Sequence, residues 1–137
     1  MQIRVTAGFL LAAGAFWLVD RWGITTPFLL AAALHEAGHL AALAALRIPV
    51  RELELRTVGA VIRADLRGTP REAWALAAGP GINLLLAALF RLPWPLFALC
   101  NLSLGLWNLL PLPGRDGWGL LQRLRPHRGS RRGPDAP

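Results

Sequence analysis

The sequence predicts an all-α polytopic membrane protein. It should have about four transmembrane helices, a small membrane-associated β-hairpin or sheet between the second and third, and a broken fourth helix. Three observations predict this. Four apolar stretches, at about 3–19, 24–46, 72–91 and 94–112, each approach the roughly 20 residues that a spanning helix needs. Only 17% of the 137 residues are charged, against roughly 25% in soluble globular domains. Finally, all fifteen basic residues are Arg, and thirteen fall on one side of the expected membrane, with only Arg21 and Arg91 in the two other loops. That asymmetry is a positive-inside bias, so both termini are expected in the cytoplasm.

The same placement decides what the formal net charge of +7 means. A basic chain suggests nucleic acid, but these arginines cluster at helix ends, where they report topology first and attract lipid headgroups second. No nucleic-acid partner is expected. A single cysteine, Cys100, excludes an internal disulfide and reads as a small buried hydrophobe in its apolar run.

In chain order, residues 1–19 have the ingredients of a signal peptide, with Arg4 ahead of an apolar run. The next apolar stretch follows almost at once, which favours a first membrane helix with Trp17 and Trp22 in the outer aromatic belt. Asp20-Arg21-Trp22-Gly23 then makes a short outer turn.

Residues 24–46 carry the motif on which the reading turns, His35-Glu36-Ala37-Gly38-His39. Residues four apart on a helix share a face, so His35 and His39 point the same way. Two imidazoles so placed can hold one Zn²⁺, and Glu36 between them can serve as a general base toward water. A chance match is the plain alternative. The setting weighs against it: no other ionisable side chain occurs between Arg21 and Arg47, and ionisable groups buried in an apolar helix need a partner. His39 lies seven residues before Leu46, about 10–12 Å inside the cytoplasmic end.

Residues 48–66 change period. Glu52-Leu53-Glu54-Leu55-Arg56 and Val61-Ile62-Arg63-Ala64-Asp65-Leu66 alternate polar and apolar, as strands do, with an ordinary loop as the alternative. Thr69-Pro70-Arg71-Glu72 reads as the start of the third helix, with Thr69 as N-cap. Gly79-Pro80-Gly81 is expected to interrupt that helix, and Asn83 places a polar group near mid-membrane, as a packing device or a functional one. Pro111, Pro113 and Gly114 stop the fourth helix, after which Asp116 can cap a short helix reaching Leu124. Nine residues rise about 13 Å, so Asp116 falls about as deep as His39 and is the natural third ligand, unless it is only a cap. Residues 125–137 read as a disordered basic cytoplasmic tail, leaving 1–124 as a single transmembrane core.

Three patches in order, His35-Glu36-Ala37-Gly38-His39, Gly79-Pro80-Gly81-Ile82-Asn83 and Asn108-Leu109-Leu110-Pro111-Leu112-Pro113-Gly114-Arg115-Asp116-Gly117, resemble the site-2 intramembrane zinc metalloproteases. Asn101-Leu102-Ser103 and Asn108-Leu109-Leu110-Pro111 look most like the stage-IV sporulation protease branch, whose substrate is a sigma-factor precursor. The resemblance implies one zinc per chain on His35, His39 and Asp116, with Glu36 as the base. It places Asn83, and with it Asn108, at positions used toward substrate or the developing oxyanion. It also implies a membrane-anchored protein substrate, a bacterial cytoplasmic membrane location and room for a regulatory membrane partner; the oligomeric state is not implied. The PDZ or CBS domains of many relatives are not expected.

Arg115 and Trp118 depart from the family pattern around the Asp, and they motivate an alternative: a catalytically silent binding module that holds membrane clients. A zinc carrier is a weaker rival, since no chain of further ligands lines the helices. A protease must also capture unwound substrate backbone, and the alternating segments that carry Leu53, Leu55, Val61 and Ile62 offer a strand edge for that purpose. The charge bias yields a direct test. Reporter fusions at residues 22 and 92 should read outside the cytoplasm, and fusions at 58 and 130 inside; a cytoplasmic signal at 22 would overturn the assigned depths.

Overall fold

The computed structural model describes residues 2–55, 60–64, 69 and 71–124. The expected tail, the ends of both alternating segments and Pro70 lie outside the described residues. Within them, strand β1 (Gln2–Val5) leads into α1 (Ala7–Val19), then α2 (Thr25–Ala45). Strands β2 (Val50–Leu55) and β3 (Ala60–Ala64) precede α3 (Glu72–Phe90), α4 (Pro95–Leu109) and α5 (Asp116–Leu124).

Helices α2 and α3, of 21 and 19 residues, are the two described helices long and apolar enough to cross a bilayer. They span about 32 and 28 Å. The expectation of four such helices is corrected in two places. The first apolar run divides into a strand and a helix of only 13 residues, while α4 stops at 15 because Pro111 and Pro113 cannot continue it. Large apolar side chains nevertheless face outward all over the bundle, Leu18 being 87% and Trp22 79% exposed. A surface of this kind suits a lipid environment, and the chain is a membrane protein by this architecture.

The turn between α1 and α2 is organised by Asp20. Its carboxylate accepts the backbone N–H groups of Thr25 at 2.7 Å, Ile24 at 3.1 Å and Trp22 at 3.2 Å. These donors, Thr25 foremost, hold its pKa down at about 2. At the other end of α2, Arg47 adopts a left-handed conformation with φ 55°, and Ile48 N–H returns to the Leu43 carbonyl at 2.9 Å. This is a helix-closing turn of the Schellman kind, built on a residue other than glycine.

The sheet is larger than expected. It has three strands in the order β1-β2-β3, because residues 2–5 pair parallel with β2, Ile3 opposite Leu53. Strand β3 pairs antiparallel on the other side, Ile62 opposite Leu53. Glu52 ties the three strands together, facing Arg4 at 3.1 Å and Arg63 at 3.4 Å. Strand β2 is therefore central, and its ladder bonds are used on both sides. The segment with Leu53 and Leu55 is not a strand edge; among the described residues the edges are β1 and β3, the latter carrying Val61 and Ile62.

The core lies where α2, α3 and α4 meet. Ala31, Phe97 and Cys100 are buried there against Leu34, Leu86, Phe90 and Leu104. Cys100 is free and buried. Phe97 stacks on Trp94 and meets Phe90 edge-on, with centroids 4.7 and 5.3 Å apart. In lipid, helices associate through close packing rather than water exclusion, so small residues decide how near they come. Helix α3 runs unbroken through Pro80, contrary to the expected interruption, and opens at Glu72 rather than after Thr69. Thr69 still accepts the Glu72 N–H on its carbonyl at 3.1 Å.

Helices α2 and α3 approach closely at Gly38, where an added Cβ would lie 2.9 Å from the Ala78 carbonyl oxygen and 2.9 Å from Ile82 Cγ2. Gly14 on α1 has nothing within 4 Å of such a Cβ. Gly38→Val should therefore destabilise the protein by about 1–3 kcal/mol. Gly14→Ala should be neutral or stabilise by up to about 1 kcal/mol. Thermal unfolding in detergent checks the contrast.

Candidate metal centre

His35 and His39 lie one turn apart on the face of α2 that packs against α3, and both are buried. Asp116, the first residue of α5, comes to the same point from the other side. His39 Nε2 is 3.1 Å from His35 Nε2, and Asp116 Oδ2 is 3.2 Å from each of them. Three electron-pair donors thus converge on one small volume.

The remaining ring nitrogens show which tautomers are present. His39 Nδ1 is 2.7 Å from the Ala75 backbone carbonyl, which can only accept, so Nδ1 carries the proton and donates. His35 Nδ1 donates to Asn83 Oδ1 at 2.5 Å. The Asn83 amide orientation is settled by its Nδ2, which donates to the Ala31 carbonyl at 3.1 Å and to Asn101 Oδ1 at 2.8 Å. Asn101 in turn donates to the Phe97 carbonyl at 2.9 Å. In the neutral form of each ring the Nε2 atom is then a lone pair turned toward Asp116. Such a set suits a cation, and Zn²⁺ bound at about 2.0–2.1 Å with tetrahedral angles would separate its ligand atoms by about 3.3 Å. The observed spacings of 3.1–3.2 Å fit that requirement.

Each expected site residue can now be placed. His35, His39 and Asp116 are brought together. Glu36 follows His35 on α2 and is half-buried. Asn83 is fully buried behind His35, with its oxygen and its amide nitrogen both engaged within the bundle. In this arrangement it orients an imidazole, and the expectation that it faces substrate or an oxyanion is corrected accordingly. Asn108 is half-buried and donates to the Leu104 carbonyl one turn back at 3.0 Å, away from the cluster's hydrogen bonds. Leu53, Leu55, Val61 and Ile62 lie in the sheet and form no part of the cluster. Arg115 does not compete for Asp116: its guanidinium sits over the Trp107 ring, 4.8 Å from the centroid, and among the described residues the two form no ion pair.

Sequence reasoning passed over Asn101 as part of the site. Its signal was the same as that of Asn83, a lone amide in an apolar helix, and two such amides invite pairing. The glycines around the cluster also divide by role. A Cβ on Gly79 would run into the His39 ring, 2.6 Å from Cε1, whereas one on Gly81 meets nothing within 4 Å.

No protein-family model matches the sequence, and no curated protein does either. The architecture and the three-donor cluster define a helical membrane protein with a metal-type centre inside its bundle. More particularly, its fold is that of a site-2 protease. The chain is similar to the solved structure "Site-2 Protease from Methanocaldococcus jannaschii", with a TM-score of 0.71 and 21% sequence identity. The match covers 88% of this chain and 65% of that one, so the chain spans less than two thirds of that structure's length. The likeness does not select the sporulation branch.

The two glycines offer a contrast that tests the placement of His39. Gly79→Ala should displace the His39 imidazole and lower zinc retention by about 10–100-fold, the usual cost of disturbing a ligand's support. Gly81→Ala should bind zinc like the unsubstituted protein. Equal zinc content in the two variants, measured by elemental analysis, would contradict this placement of His39.

Proposed function

We propose that the chain is a zinc-dependent intramembrane endopeptidase of the site-2 type, cutting a membrane-anchored protein within or beside the bilayer on the cytoplasmic side. One observation carries the reading: two imidazole lone pairs and a carboxylate meet at 3.1–3.2 Å, one residue away from a half-buried Glu36. The fold likeness to a site-2 protease supports it.

His35, His39 and Asp116 would hold the ion, leaving a fourth position open, as catalytic zinc sites require. When bound, zinc supplies Lewis acidity, polarising a peptide carbonyl and making water more acidic. The rest is the work of the chain's own residues. Glu36 takes a proton from the attacking water and returns it to the leaving amine. Asn83 and the Ala75 carbonyl keep both imidazoles in the tautomer that turns Nε2 inward. Asp116 retains 18% side-chain exposure, against 6% and 10% for the two histidines, so the α5 side is where water would enter the cluster.

Substrate must arrive as extended backbone, because a helical peptide bond is shielded and an unwound one in lipid needs hydrogen-bond partners. The outer strands of the sheet, β1 and β3 among the described residues, can supply them. With β2 enclosed, this role falls to an outer strand such as β3 with Val61 and Ile62. We place the protein in a bacterial cytoplasmic membrane, as the resemblance implies, with both termini inside on the strength of the Arg asymmetry. A sigma-factor precursor is one candidate substrate. Of the two departures that motivate the silent-module alternative, Arg115 is occupied with Trp107, and Trp118 is the one that remains.

Glu36→Gln separates chemistry from binding, because the amide keeps the size but takes no proton at neutral pH. Coexpressed with tethered precursor substrates, the variant should lose cleavage by at least about 100-fold. Its zinc content should stay unchanged. Near-normal cutting by Glu36→Gln would refute the mechanism.

A further inference from the structure

We propose that Glu72 and Arg123 are a positioning pair for the third donor of the centre: their ion pair sets the register of α5 on α3 and so holds Asp116 against the two imidazoles. The inference rests on reading His35, His39 and Asp116 as a zinc site.

The pair is built into the interior. Glu72 has 2% side-chain exposure and Arg123 19%, and Arg123 Nε and Nη2 both donate to Glu72 Oε2 at 3.3 Å. The second carboxylate oxygen accepts the Thr69 hydroxyl at 3.3 Å. Arg123 Nη1 folds back to the Gly119 carbonyl at 3.4 Å, so the guanidinium is fixed on its own helix as well. A carboxylate this deeply buried is costly, and an apolar pair would hold two helices together with less desolvation. What an arginine–carboxylate pair adds is direction, because its N–H···O bonds tolerate little rotation or sliding.

Packing registers the start of this helix at Gly117, where an added Cβ would lie 2.5 Å from the Leu109 carbonyl carbon, and the Glu72–Arg123 pair adds a directed constraint further along it. Helix α5 has nine residues and follows a loop interrupted by Pro111, Pro113 and Gly114. Asp116, Gly119 and Arg123 are spaced i, i+3 and i+7, which puts them on one face. Asp116 meets α2, Arg123 meets α3, and Gly119 lies between them, where an added Cβ would be 2.9 Å from Leu76 Cδ1. Glu72 in turn stands three residues before Ala75, whose carbonyl orients His39. The first turn of α3 thus serves as a common reference: Ala75 sets a donor carried by α2, and Glu72 sets the helix that carries the donor from α5.

The test must separate positioning from simple stapling. Zinc affinity is measured in detergent by competition with a chelator, alongside thermal unfolding, for the full chain and for Arg123→Met, Arg123→Lys and the double variant Glu72→Gln/Arg123→Met. Arg123→Met takes the guanidinium away from a buried carboxylate and should lose both stability and zinc. The double variant removes both charges, so its unfolding temperature should stay near that of the unsubstituted protein while zinc affinity falls about 10–100-fold. Arg123→Lys keeps the charge without the fork and should fall between them in affinity. Should the double variant not fold, Arg123→Lys decides the matter through its affinity loss at preserved unfolding temperature. Zinc affinity within about twofold of the unsubstituted protein, in whichever folded variant is read, would overturn the proposal. An unsubstituted protein that binds no zinc would instead sink the reading of the centre itself.

Discussion

Two imidazole nitrogens and a carboxylate oxygen aimed at one point inside an apolar bundle repel one another unless a proton or a metal cation lies between them. The rest of this structure is arranged around that constraint. Helix α2 brings two imidazoles by the simplest available means, one helical turn of separation. The third donor has to come from elsewhere, and it comes from the end of the chain, 77 residues away from His39. Each donor is then denied its alternatives. The Ala75 carbonyl and the Asn83 oxygen occupy both Nδ1 positions, so neither ring can satisfy itself by turning over. Buried polar groups within a membrane are tolerated when fully partnered. Among the described residues no buried side-chain nitrogen or oxygen lacks a hydrogen-bond partner.

Packing follows from the same demand. For the His39 ring to reach the Ala75 carbonyl, α3 must present bare backbone, which is why position 79 is glycine. For α2 and α3 to be close enough, position 38 must be glycine too. For Asn83 to reach Asn101 on α4, Gly105 must leave space, since an added Cβ there would lie 3.2 Å from Asn83 Cβ. The small residues and the polar ones are therefore a single design in which backbones approach so that amides and imidazoles can meet.

Much of the centre was legible in the sequence because its signals are local or rest on depth. His35, Glu36 and His39 fall within one turn. Asp116 was reached by counting helical rise from the membrane surface, and the structure brings it to the two histidines. What escaped the reading depends on contacts between distant segments. Strand β1 has four residues merged into an apolar run, and its pairing with β2 crosses a gap of 50 positions. Glu72 looked like an ordinary first-turn acid, and nothing local announces Arg123 as its partner 51 residues on. Pro80 was read as a break because proline removes a helical donor, yet neighbouring helices hold α3 continuous around it. The Asn83 side chain was singled out, but its direction is set by partners on α2 and α4, which no pattern along α3 reveals.

The central claim is that His35, His39 and Asp116 together hold one zinc ion. X-ray absorption at the zinc edge, on protein purified with its native metal, tests it most directly. The account predicts two imidazole nitrogens with oxygen completing the shell, at about 2.0–2.1 Å, and no sulfur. A shell with one imidazole or none, or a zinc–sulfur distance of about 2.3 Å, would contradict it.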